Sequence, residues 1–109
     1  MVDGNERLYG MLGFAMRAGR VIIGTDLVCA SMSKRGAGKL TLVLVSCDAS
    51  EATKKKVTTK SDFYNIEALV IDVGADRLGS LLGKTYSPVV LGITDERFKE
   101  EIKRALEKE

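Results

Sequence analysis

Histidine is absent from this chain of 109 residues, and cysteine (two) and proline (one) are scarce. Without an imidazole the commonest general base is missing, so Ser-His and Cys-His nucleophilic chemistry is excluded. Cys29 and Cys47 lie far apart and form no metal-ligand spacing. They could pair on paper, but a cytosolic setting keeps thiols reduced, and both are expected as buried free cysteines. No apolar run approaches the roughly 20 residues that cross a bilayer. The opening Met1-Val2-Asp3-Gly4-Asn5-Glu6 lacks the basic start and apolar centre of a signal peptide. The expectation is a cytoplasmic protein with no membrane partner, metal or cofactor.

What is present suits a single globular domain over residues 1–109, with 45% hydrophobic and 29% charged residues. The net charge of +2 and the pI near 8.6 predict no strong global field. The bases concentrate between Arg17 and Lys60 while most acids lie toward the ends, so a local basic face is expected.

The stretch from Lys39 to Lys60 organises the chain. Leu40 to Val45 is a near-continuous apolar run of the length and composition of a strand covered on both faces. Asp48 with Glu51 three positions on reads as the N-cap pair of the next helix, which begins at Ala49. That helix carries Lys54, Lys55, Lys56 and Lys60, and its β-branched run Val57-Thr58-Thr59 argues for a break. Ligands of open α/β sheets gather at the carboxyl ends of the strands, which places any site beside Asp48.

The flanking segments alternate in type. Helical spacing of Leu8, Met11, Leu12, Ala15 and Ala18 predicts a first helix over 5–18, capped by Asn5 and stopped by Gly19. Val21-Ile22-Ile23 is a short strand, after which Gly24 or Thr25 caps a helix to about Lys34, with Leu27, Val28, Ala30 and Met32 as its apolar content. Asn65 ends the basic helix. A strand over 68–71, a helix over 74–82 with Leu78, Leu81 and Leu82 inward, and a strand opened by Pro88 follow. A last helix starts at Thr94-Asp95-Glu96 and turns Phe98, Ile102, Ala105 and Leu106 inward. This order predicts an α/β fold, a three-layer helix–sheet–helix sandwich around a mixed sheet of about four strands.

Two glycine motifs fail as nucleotide loops. Gly74-Ala-Asp-Arg-Leu-Gly79 lacks the leading Gly-x-Gly, and Gly36-Ala-Gly-Lys39 precedes a strand instead of joining a strand to a helix. Asp48, Asp62 and Asp72 give no paired-carboxylate spacing for acid–base work. The lysine run alone fits either a solvated helix face or a nucleic-acid contact.

Taken together, Leu12-Gly13-x-Ala15-x-Arg17-Ala18-Gly19-Arg20, Gly24-Thr25-Asp26, Asp48-Ala49-Ser50-Glu51, Thr53-Lys54-Lys55-Lys56, Leu78-Gly79 through Gly83-Lys84, and Thr94-Asp95-x-x-Phe98 resemble the kink-turn-binding ribosomal-protein family. This is the group around large-subunit ribosomal proteins seven-Ae and thirty-e, and the likeness is to its small bacterial YlxQ-like branch. It runs from about Glu6 to Leu106. The resemblance implies the same sandwich and non-catalytic binding of structured RNA, such as ribosomal RNA, in the company of ribosomal or ribonucleoprotein partners. By position it implies RNA contacts from Gly24, Thr25 and Asp26, from Asp48 and Ser50, and from Thr85, Tyr86 and Ser87. It also places Lys34 against phosphate, and the lysine cluster from Lys54 to Lys60 is expected to add phosphate contacts. Helix-start amides suit phosphates and base edges, and Tyr86 suits a splayed-out base.

The chain departs from the family where kink-turn readers carry Asn-Glu and a later Lys; here stand Asp26, Leu27 and Ala30. Leu27 cannot accept a hydrogen bond from guanine, and one lost contact of that kind costs about 1–3 kcal/mol of discrimination. An alternative follows: a protein-interaction module on the same fold with weakened RNA affinity, docking through Leu27 beside Thr25 and Val28.

Overall fold

A computed structural model describes residues 6–107. Its elements are α1 (Glu6–Arg17), β1 (Val21–Ile23), α2 (Thr25–Ser31), β2 (Leu42–Ser46), α3 (Glu51–Phe63), β3 (Glu67–Ile71), α4 (Ala75–Leu81), β4 (Val90–Ile93) and α5 (Glu96–Glu107). The four strands form one mixed sheet in the order β1-β4-β2-β3. β2 and β3 run parallel, with Leu42 opposite Glu67 and Ser46 opposite Ile71. β4 is antiparallel to both of its neighbours.

The central strand explains the three layers. All of β2 is buried, and its side chains alternate between two cores because successive residues of a strand face opposite ways. Leu42 and Leu44 join Leu8, Leu12, Leu78 and Ile102 on the face covered by α1, α4 and α5. Val43 and Val45 join Val28, Met32 and Val57 on the face covered by α2 and α3. The helix–sheet–helix sandwich expected from the order of segments is the observed fold.

Several boundaries differ, each for a local reason. β2 begins at Leu42, while Leu40 is a buried core residue ahead of it. α2 stops at Ser31, short of Lys34, and buries only Val28 and Cys29 within its span. Leu27 (62% exposed) and Ala30 therefore face solvent, not the core. Ala18, expected on the inner stripe of α1, is exposed beyond that helix's end. α3 does not break at its β-branched run: Val57 is fully buried, and the Thr58 hydroxyl donates to the Lys54 carbonyl oxygen at 2.8 Å. Burial of Val57 outweighs an intrinsic propensity deficit of at most about 0.7 kcal/mol per residue, and the i−4 bond satisfies the Thr58 hydroxyl within the helix. Asn65 sits one residue past the Tyr64 C-cap and takes the left-handed conformation, φ 59°, in which Asn is tolerated. Cys29 is buried as expected, whereas Cys47 is exposed in the turn after β2. The expected Asn5 cap lies outside the described residues.

Candidate nucleic-acid interface

Four connections meet at one end of the sheet, and the strand directions dictate this. β1, β2 and β3 deliver their C-terminal ends there, and β4, being antiparallel to β2, begins there. The meeting is held by hydrogen bonds. The Gly24 amide donates to the Val90 carbonyl at 2.9 Å, the Ser46 amide to Val89 at 2.8 Å, and the Cys47 amide to Val73 at 3.3 Å. Gly24, Thr25, Asp26, Asp48, Ser50 and the Thr85–Ser87 segment are thereby brought to a common edge.

Asp48 works differently from its sequence role. The N-cap of α3 is Ser50, whose Oγ accepts from the Thr53 amide at 3.1 Å. Asp48 instead accepts from the Ala75 amide with both carboxylate oxygens, at 3.1 and 3.2 Å, and so caps α4 from 27 residues away. It also accepts from the buried Ser46 hydroxyl at 2.6 Å. The Ser46 bond, then the Ala75 amide, hold the Asp48 carboxyl below its ordinary range. Its oxygens thus join two loops, while the side chain stays exposed at the edge. The N-cap of α4 is Gly74, which has no side chain to do this work.

The loop before β4 is fixed in the same way. Ser87 donates to Asp76 Oδ1 at 2.6 Å. Gly79 of α4 packs so closely that a Cβ there would run into the Tyr86 carbonyl oxygen. With its backbone pinned, Tyr86 presents a ring that is 55% exposed, a stacking surface at low entropic cost. On the other side of the edge, α2 starts at Gly24 (φ 107°) without any side-chain cap bond, so its first amides have no side-chain partner. Thr25 is half-buried and Asp26 exposed there.

Lys54 lies near this edge but is drawn toward Glu51, Nζ to Oε2 3.4 Å. Lys34 does not reach the edge. It lines a recess with Leu40, Asn65 and Ile66, at the starts of β2 and β3, which is the opposite end of the sheet. Val28 is fully buried, so the apolar patch expected around Leu27 shrinks to Leu27 alone. Phe63, 81% exposed, and Tyr64 beside it are outside the sequence-based expectations. Lysines at helical spacing before two adjacent aromatics, Lys56, Lys60 and then Phe63, were the available signal.

A family model for the Ribosomal protein L7Ae/L30e/S12e/Gadd45 family matches residues 6–103. The chain belongs to this family. RNA-binding protein YlxQ of Enterococcus faecium is 35% identical over 108 residues, covering 98% of this chain and 99% of that protein. RNA-binding protein YlxQ of Bacillus subtilis is 37% identical over 90 residues, covering 83% and 85%. A solved structure of a Bacillus halodurans C protein superposes with a TM-score of 0.81 at 31% identity, covering 93% of this chain and 97% of that one. The L7Ae-type resemblance and its YlxQ-like branch, drawn from the ordered motifs, agree with these matches. No helix among the described residues is long and apolar enough to cross a membrane.

Proposed function

We propose that this chain is a non-catalytic RNA-binding protein of the L7Ae type that grips a structured RNA at the loop end of its sheet. The observation that carries the reading is that the family-matched contact segments, distant in sequence, are tied to one edge through β4 and surround an exposed aromatic. YlxQ relatives named as RNA-binding proteins along nearly the whole chain support the ligand class. The α2 amides and Thr25 would meet backbone or base edges, and Tyr86 would stack on an unpaired base. Asp48 and Ser50 serve the site by holding its loops. The site is part of a single domain over residues 1–109, in a cytoplasmic protein that meets ribosomal or ribonucleoprotein assemblies through its RNA. Leu27 is exposed, as the protein-docking alternative requires, but Val28 beside it is buried, and a singly exposed leucine is ordinary.

A titration tests the reading. The chain is mixed with a helical RNA interrupted by an internal loop, and with an uninterrupted duplex, across a range of salt. The internal-loop RNA is expected to bind at least about tenfold more tightly, with log K falling linearly against log salt. Equal affinity for the two RNAs, or a flat salt response, contradicts it.

A further inference from the structure

The cations of this chain do not collect where the loops converge. That end carries Asp26, Asp48, Asp72 and Asp76, and Lys54 there is held toward Glu51. Lys55, Lys56 and Lys60 instead line an open face of α3 with Ala52, Thr59, Phe63 and Tyr64. Tyr64 also borders the recess at the opposite sheet end, which Lys34, Arg35 and Lys39 complete. One aromatic pair thus lies between two groups of basic side chains.

The pair is built for contact and not for the core. Phe63 is 81% exposed at the last turn of α3. Its ring meets Tyr64 edge to face, with centroids 5.0 Å apart and planes at 86°. Such contact holds the two rings against each other while most of Phe63 stays exposed. Asp62, the acid beside it in sequence, lines a separate recess with Lys99, so the basic surround is not neutralised from that side. Open aromatic faces between lysines form the surface on which single strands stack, with bases on the rings and phosphates on the cations. A duplex hides its base faces and gains nothing from Phe63.

We infer that the outer face of α3 is a second RNA surface, which takes a single-stranded segment by stacking a base on Phe63 and holding its phosphates with Lys55, Lys56, Lys60 and Lys34. Only the ligand class rests on the RNA-binding reading; no loop-end contact is used. α3 spans 13 residues, about 20 Å, with Ser50 at the loop end and Phe63 at the far end. One RNA could therefore dock its folded part on the loops and lay its single-stranded flank along α3.

Phe63→Trp provides the test, because the chain has no tryptophan and the new indole reports alone. The probe is an oligouridylate of about 12 nucleotides. Saturable, salt-reversible quenching of the indole is expected, and Phe63→Ala should weaken oligouridylate binding roughly tenfold. An unchanged melting temperature is expected for Phe63→Ala, since the ring supports little of the core. Unquenched indole, or equal oligouridylate affinity in Phe63→Ala, overturns the inference. Self-association that Phe63→Ala abolishes, with no oligouridylate binding, also overturns it and assigns the face to a protein contact. If the internal-loop RNA still binds in those cases, the second surface falls alone; if neither RNA binds, the RNA-binding reading falls with it.

Discussion

Gly79→Ala lowers the melting temperature of this chain by roughly 10 °C, while Gly10→Ala raises it by about half as much. The two glycines lie within helices, α4 and α1, and only their surroundings separate them. At Gly10 an added Cβ meets nothing within 4 Å, so alanine contributes only its better helix propensity, about 1 kcal/mol. At Gly79 the same methyl group meets the Tyr86 carbonyl oxygen, with Pro88 Cδ at 3.5 Å. A backbone oxygen cannot swing aside as a side chain can. Either α4 lifts from the sheet or the 85–87 loop is displaced. Overpacking of this kind costs about 1–3 kcal/mol, and against a rigid partner it exceeds the propensity gain, leaving a net loss of about 2 kcal/mol. The displaced loop carries Tyr86, so affinity for the internal-loop RNA should fall in the same variant. Thermal melting of both variants checks the opposite signs; an unchanged Gly79→Ala protein would mean that α4 does not brace this loop.

Leu27→Glu should raise affinity for an RNA loop with sheared guanine–adenine pairs by about 10- to 100-fold, leaving a plain duplex unaffected. The side chain is 62% exposed in the first turn of α2, so the fold tolerates the exchange. A carboxylate there restores the acceptor that kink-turn readers of the L7Ae type present to guanine. One well-placed base contact is worth about 1–3 kcal/mol. Added charge in a helix's first turn is favoured by the dipole and offsets part of the repulsion from Asp26. Titration of wild type and variant against the two RNAs measures the effect. No gain would mean that the α2 edge is not where such pairs are met.

Local chemistry made most of this fold legible. The unbroken apolar run of β2 gave a strand buried on both faces, and helical spacing gave α1 and α5. What escaped was decided by contacts distant in sequence. Asp48-x-x-Glu51 and Ser50-x-x-Thr53 both resemble caps, and only the arrival of Ala75 beside Asp48 shows which carboxylate serves which helix. Val57 disfavours a helix by itself, yet the core opposite β2 requires it. The lysines followed each other in sequence closely enough to suggest one patch. Sheet geometry parts them: Lys54 near the loops, and Lys34 at the far end with the α3 aromatics. Only family likeness marks the loop-end residues; neither periodicity nor charge does.

A chain that holds a structured RNA at the loop end of its sheet should crosslink to that RNA there. Ultraviolet crosslinking in cells, followed by sequencing of the bound RNA and identification of the crosslinked peptides, tests this most directly. Recovery of a discrete, structured RNA is expected, with crosslinks at residues 24–26 or at Tyr86. Recovery of no RNA above an uncrosslinked control, or crosslinks confined to surfaces away from that edge, would contradict it.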